Sequence, residues 1–145
     1  MLEEYGNIWT YHKRGVPIVI TTNGSIKKDG KSVMGRGVAW QAQSKYPEFP
    51  DKLGEKIKAY GNDVFYFHEY NIFTFPVKED WLKPASLLLV ERSCKQLMDL
   101  VENLKMPRVV IVRPGCRNGL LKWENVKPIC QRYFDDRILI VDVNG

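Results

Sequence analysis

Two stretches of this 145-residue chain combine small residues, amide side chains and arginine at a spacing suited to gripping an anion. The first runs from Thr21, Thr22, Asn23 and Gly24 to Val33, Met34, Gly35, Arg36, Gly37, Val38 and Ala39. The second is Arg113, Pro114, Gly115, Cys116, Arg117, Asn118, Gly119 and Leu120. Glycines without Cβ atoms let phosphate oxygens reach backbone N–H groups, and successive N–H groups in one turn form an anion nest. A helix opening just after such a stretch adds the partial positive charge of its N-terminus. Neither stretch is a P-loop, since no Gly-Lys-Ser/Thr follows, and neither completes a dinucleotide fingerprint. Each alone also reads as a plain surface turn; two in one short chain favour a clamp around a diphosphate.

Other reactive side chains are few. Lys78 ends the apolar run Phe75-Pro76-Val77, and a lone lysine at a strand end is ordinarily a solvated charge. Cys116 sits beside Arg117, but no partner histidine is identifiable, so it reads as a small packing residue. Trp9, Trp40, Trp81 and Trp123 read as packing residues rather than base-stacking platforms, and His68, in an aromatic strand, as structural. With two histidines and three cysteines lacking zinc-type spacing, neither a metal site nor a cofactor is expected, and the thiols read as reduced.

Lys and Arg total 22 against 17 Asp and Glu, for a net charge of +5. That predicts attraction to anions, from nucleotides to nucleic acid, without choosing among them. The densest basic stretch, Lys27-Lys28-Asp29-Gly30-Lys31, reads as a solvated surface. A hydrophobic share of 44% excludes a disordered chain, and runs such as 87–90 and 109–112 are too short to span a bilayer. The opening Met-Leu-Glu-Glu-Tyr shows no signal pattern. One domain over 1–145, cytoplasmic, off the membrane and monomeric, is the expectation.

The elements that would position these residues alternate. Strands are predicted at 16–21, 64–70, 72–77, 109–112 and 138–143, the second and third as a hairpin. Helices are predicted at 37–46, 49–60 (closed by Gly61), 84–104 and 123–134. The apolar face of the longest helix reads as Leu87, Leu88, Val90, Cys94, Leu97, Met98, Leu100, Val101 and Leu104. This pattern implies an α/β fold, helices covering a mostly parallel sheet with ligands at the strands' carboxyl ends.

The order and spacing of Gly6-Asn7-Ile8, Thr22-Asn23, Met34-Gly35-Arg36-Gly37-Val38-Ala39, Phe75-Pro76-Val77-Lys78 and Gly115-Cys116-Arg117-Asn118-Gly119-Leu120 before Trp123 resemble the macro domain family, which binds ADP-ribose. Met-Gly-x-Gly-x-Ala, Phe-Pro-x-Lys and Gly-Cys-x-Asn-Gly look most like the branch holding the terminal ADP-ribose protein glycohydrolase and the antitoxin that strips ADP-ribose from DNA. The resemblance implies a three-layer α/β/α sandwich with a mixed, mostly parallel central sheet. It implies adenine held by Asn7 and Ile8, and Asn23, next to Thr22, facing the distal ribose. Met34, Gly35, Arg36, Gly37, Val38 and Pro114, Gly115, Cys116, Arg117, Asn118, Gly119, Leu120 would cradle the diphosphate and distal ribose.

Lys78 matches the lysine implicated in glycosidic cleavage in that branch. It would attack C1″, hold the opened sugar as a Schiff base, or stay charged and stabilise the leaving group. Three departures stand out. Asn7 replaces the aspartate of many relatives, Gly119 replaces the loop aspartate of the protein glycohydrolase, and Lys122 stands where some DNA-directed relatives have an acid. Glu79, Asp80 and Glu124 are the acids nearby in sequence. The expected partner is ADP-ribose, or an ADP-ribosylated protein or nucleic acid, and the expected activity hydrolysis of an ADP-ribosyl linkage. The alternatives are a non-catalytic ADP-ribose reader, an ADP-ribose-1″-phosphate phosphatase, and, from a different class, a basic nucleic-acid-binding domain.

Overall fold

The computed structural model describes residues 1–143; the last two positions of the expected 1–145 domain lie outside them. The elements are β1 (Leu2–Tyr5), α1 (Ile8–Lys13), β2 (Ile18–Asn23), α2 (Val38–Lys45), α3 (Phe49–Tyr60), β3 (Tyr66–Phe67), β4 (Ile72–Lys78), α4 (Leu87–Asn103), β5 (Val109–Val112), α5 (Trp123–Tyr133) and β6 (Ile138–Asp142). Six strands form one sheet in the order β1-β6-β5-β2-β4-β3, with β3–β4 antiparallel and the other neighbours parallel.

Strands β2, β4, β5 and β6 are buried on both faces because helices cover both. Along β2, β5 and β6, alternate residues divide between two layers. Val19, Val109, Ile111, Ile138 and Ile140 pack against α4 and α5 through Val90, Cys94, Leu97, Val101, Val126 and Cys130. Ile18, Ile20, Val110, Leu139 and Val141 pack against α1, α2 and α3 through Ile8, Trp9, Ala39, Ala42, Phe49, Leu53 and Ile57. The result is the expected three-layer α/β/α sandwich with a mixed, mostly parallel sheet. No helix among the described residues is long and apolar enough to cross a membrane.

The larger departures from the sequence pattern have tertiary reasons. The strand expected at 64–70 shrinks to β3. Val64 N–H donates to the Gln96 Oε1 at 3.0 Å and Phe65 N–H to the Thr74 Oγ1 at 3.0 Å, so side chains replace much of the ladder. Helix α4 starts at Leu87 rather than 84: Ala85 N–H donates to the Gly119 carbonyl at 3.0 Å and Ser86 N–H to the Val77 carbonyl at 2.9 Å, while the Ser86 hydroxyl caps the helix by accepting from Leu89 N–H. Its buried face consequently includes Leu89 and Ser93, while Leu88 is 81% exposed and Leu87 and Leu104 are also exposed. Strand β2 runs two residues further than expected, to Asn23, with an irregularity between Thr22 and Asn23 that sets Asn23 opposite Lys78. β1 and α1, absent from the sequence reading, form because β6 supplies the ladder for an exposed four-residue strand and Asn7 caps the short helix.

Candidate functional site

The carboxyl ends of β2, β4, β5 and β6 open into one cleft of about 710 Å³, within the roughly 300–1,000 Å³ typical of small-ligand sites. The β2–α2 loop and the β5–α5 loop form its walls. They touch: a Cβ placed on Gly37 would lie 3.3 Å from the Asn118 Nδ2. Gly37 holds φ +71, which favours glycine, and begins α2 with no side-chain cap. The backbone N–H groups of Gly35, Arg36, Gly37, Gly115, Arg117, Asn118 and Gly119 donate to no acceptor among the described residues. Two adjoining runs of uncommitted donors therefore line one cavity.

Side chains add charge. Arg36, Lys78, Arg113, Arg117 and Lys122 line the cleft, against one lining carboxylate among the described residues, Asp142. Such an excess concentrates anions where water is partly excluded. Asp142 was not singled out from sequence, and neither was Arg113 as a lining residue. Asp142 is bound by Arg117 at 2.6 Å and Arg113 at 3.3 Å. Burial pushes its carboxyl upward, but the hydrogen bond and charge of Arg117 with the charge of Arg113 outweigh that and hold it below the usual carboxylate range. The Arg113 guanidinium lies 5.1 Å from the Trp123 ring centroid, and its Nε is buried without a hydrogen-bond partner among the described residues. Only the approach of β6 to β5 brings Asp142 to these arginines; its sequence position carries no signal of it.

Lys78 terminates β4, half-buried, and its Nζ donates to the Asn118 carbonyl at 3.4 Å. Its own carbonyl accepts from Gly24 N–H at 3.1 Å and from the Asn62 Nδ2 at 3.1 Å. The ammonium is thus aimed from a fixed strand end into the cleft, and no ion pair ties it to a carboxylate among the described residues. Asn23 is buried at the cleft floor and staples its own loop, donating to the Val33 carbonyl and accepting from Ser25 N–H, both at 2.9 Å. Asn7 also lines the cleft; its Oδ1 accepts from Trp9 N–H at 2.9 Å, leaving the Nδ2 for another acceptor.

Of the residues singled out from sequence, Asn7, Ile8, Thr22, Asn23, Gly35, Arg36, Gly37, Val38, Lys78, Gly115, Cys116, Arg117, Asn118 and Gly119 converge on this cleft. Three stand outside it. Met34 is buried in the core layer that α2 helps form, Pro114 is buried within the second loop, and Leu120 is 77% exposed at φ +67.

The packing explains why the second loop has no aspartate. A Cβ on Gly119 would meet the Gly115 carbonyl oxygen at 2.4 Å and the Ala85 Cβ at 2.8 Å, so position 119 has no room for a side chain. Neither Glu79, Asp80 nor Glu124 lines the cleft. Glu79 faces Asn62, and Asp80 accepts from Leu82 N–H. Burial, foremost, pushes the Cys116 thiol up to about 11, which fits a packing role and not that of a nucleophile.

The tryptophans divide, contrary to the uniform packing expectation. Trp9 is core and Trp123 underlies Arg113, but Trp40 and Trp81 are exposed. Trp40 lies in α2, turned away from the buried Ala39 and Ala42, and Trp81 lies in the loop between β4 and α4. His68 is likewise exposed, in the β3–β4 turn and not in a strand. Among the described residues no three His, Cys, Asp or Glu side chains group as metal ligands.

No family model matches the sequence. The chain is 29% identical over 116 residues to the DNA ADP-ribosyl glycohydrolase of Thermus aquaticus, covering 71% of this chain and 31% of that protein. It is 30% identical over 104 residues to the DNA ADP-ribosyl glycohydrolase of Mycobacterium tuberculosis, covering 66% and 30%. The match thus spans under a third of these curated relatives' length. Among solved structures it superposes on Thermosipho africanus DarTG in complex with ADP-ribose with a TM-score of 0.77 at 17% identity, covering 94% of this chain and 39% of that one. It superposes on the macrodomain of Mycobacterium tuberculosis DarG with a TM-score of 0.74 at 23% identity, covering 97% of each chain. These likenesses place the fold among macrodomains.

Proposed function

We propose that this chain, which has the macrodomain fold, binds ADP-ribose along its two abutting loops and hydrolyses an ADP-ribosyl linkage carried by nucleic acid. The observation that carries this reading is the pair of adjoining runs of uncommitted backbone donors, backed by an excess of cationic side chains in one cleft. Such donors match the four terminal oxygens of a diphosphate, each N–H contributing a charge-assisted hydrogen bond. Similarity to proteins named for DNA ADP-ribosyl hydrolysis, and to a structure holding ADP-ribose, supports the ligand and favours nucleic acid over protein as its bearer. Both apolar layers rest on the same sheet, so the stretch acts as one domain.

With the diphosphate in the loops, adenine lies toward Asn7 and Ile8 and the distal ribose toward Asn23 and Lys78. The Asn7 Oδ1 already caps α1, so the amide's Nδ2 donates to a ring nitrogen of adenine. The Lys78 ammonium acts on the leaving group. As the bond from C1″ to the leaving atom breaks, that atom takes the electron pair and a proton from Lys78. Water then adds to C1″, and its proton returns to the lysine amine. The sum is ADP-ribose plus the unmodified acceptor.

Calorimetric titration with ADP-ribose, followed by release assays on an ADP-ribosylated single-stranded oligonucleotide and an ADP-ribosylated protein, tests the reading. Lys78→Ala is expected to bind ADP-ribose within about threefold of wild type while turnover falls about 10²–10⁴-fold. Undiminished turnover would remove Lys78 from the chemistry, and saturable binding with no release from any substrate would leave a reader rather than an enzyme.

A further inference from the structure

The segment after Lys78 leaves strand β4 and returns almost to its starting point. Val77 and Ser86 are joined by a backbone hydrogen bond of 2.9 Å, and the residues between them bulge outward as a closed loop. Its returning limb is pinned to the second cleft loop through Ala85 N–H and the Gly119 carbonyl, and Lys78 reaches the same loop at Asn118. At the apex stand Trp81, 52% exposed, and Leu82, 73% exposed. Leu120, beside Gly119, projects with most of its surface exposed. Three large apolar side chains are therefore unburied on two joined loops, one of which follows directly from Lys78. None of them packs in either core layer.

Cations border this patch. Lys83 and Lys122 are exposed next to it in the chain, and the Ser25 Oγ, at the base of the loop bearing Lys27 and Lys28, accepts from Trp81 N–H at 3.1 Å. The two acids of the same loop are engaged by other partners, Glu79 by the Asn62 amide and Asp80 by Leu82 N–H. An apolar surface led by an aromatic ring and rimmed by lysines suits a flat, uncharged ring system attached to a polyanion.

Resting on the reading of the cleft given above, we infer that Trp81, with Leu82 and Leu120, forms the shelf that receives the nucleobase leaving C1″, so that Trp81 contributes to turnover of a nucleobase acceptor and not of an acidic protein side chain. A protein carboxylate has no broad ring face to lay on it and gains little from Trp81.

The test compares wild type, Trp81→Ala, Trp81→Phe and Leu82→Ala on an ADP-ribosylated single-stranded oligonucleotide, an ADP-ribosylated acidic peptide and free ADP-ribose. Trp81→Ala is expected to lower kcat/KM on the oligonucleotide about tenfold or more, chiefly through KM. Trp81→Phe should recover most of that loss, Leu82→Ala should lose severalfold, and affinity for free ADP-ribose should stay within twofold. An unmodified single-stranded oligonucleotide should quench tryptophan emission in wild type and much less in Trp81→Phe. Equal slowing on peptide and oligonucleotide, unchanged kinetics in Trp81→Ala, or quenching that survives Trp81→Phe would overturn the shelf. Failure of wild type to bind ADP-ribose would instead sink the glycohydrolase reading, and the quenching measurement would still judge the shelf.

Discussion

Replacing Gly119 by alanine adds one carbon to the tightest point of the site. That carbon would sit 2.4 Å from the Gly115 carbonyl oxygen and 2.8 Å from both the Gly115 Cα and the Ala85 Cβ. To restore ordinary contact, the Gly115 peptide must withdraw by about 1 Å, backbone against backbone, with no flexible side chain to yield. The withdrawal breaks the 2.9 Å bond from Leu121 N–H to the Gly115 carbonyl, worth about 0.5–1.5 kcal/mol. Overpacking adds about 1–3 kcal/mol, for a loss of about 1.5–4.5 kcal/mol, or a fall in Tm of at least about 3 °C in a chain of this size. Because the same peptides carry uncommitted donors, affinity for ADP-ribose should fall at least about tenfold. Gly35→Ala is the control, since a Cβ there meets nothing within 4 Å. It should keep the wild-type Tm to within about 0.5 kcal/mol of stability yet weaken ADP-ribose binding, because the added methyl stands where phosphate oxygens must approach. Thermal melting by circular dichroism and calorimetric titration read both variants. A Gly119→Ala protein with wild-type Tm and wild-type affinity would refute the packing argument, and so would a Gly35→Ala protein that melts as early as Gly119→Ala.

Other expectations follow from the same geometry. The folded Asp142 carboxyl titrates below its unfolded value, so its stabilisation is full above pH of about 4 and is lost as pH falls through the depressed folded value. The Tm gap between wild type and Asp142→Asn should be widest near neutrality and close in acid; a gap unchanged down to pH 2 would contradict this. With its thiol near 11, Cys116 should be alkylated slowly at neutral pH, about tenfold faster per pH unit in alkali as followed by mass spectrometry, and Cys116→Ala should retain at least about a third of wild-type turnover. Asn23→Ala strands the Val33 carbonyl and Ser25 N–H in a buried corner. It should lower stability by about 1–3 kcal/mol in urea denaturation, whereas loss of binding without loss of stability would make Asn23 a ligand contact rather than a loop staple.

The sheet and its layers were legible in the sequence because burial on both faces leaves continuous β-branched runs. Ile18–Asn23, Val109–Val112 and Ile138–Asp142 lie within two residues of where those runs place them. Both cleft loops were legible for a related reason: a backbone that must approach an anion or another backbone tolerates little at Gly37, Gly115 or Gly119 besides glycine, and that demand is written locally. What the chain alone did not disclose are features held by distant partners. β1 has no apolar pattern and exists because β6 pairs with it. Ser86 and Ala85 look helical until Val77 and Gly119 claim their N–H groups, which moves the start of α4 and turns Leu88 outward. Asp142 becomes a cleft residue only when β6 docks beside β5 and brings it to Arg113 and Arg117, and Trp81 stays exposed on a loop whose ends, Val77 and Ser86, are tied together. Local chain chemistry thus determined most of the elements and the two glycine-bearing bends. Tertiary packing alone decided which charges meet and which apolar side chains stay uncovered, because both depend on distances between residues that sequence separation does not constrain.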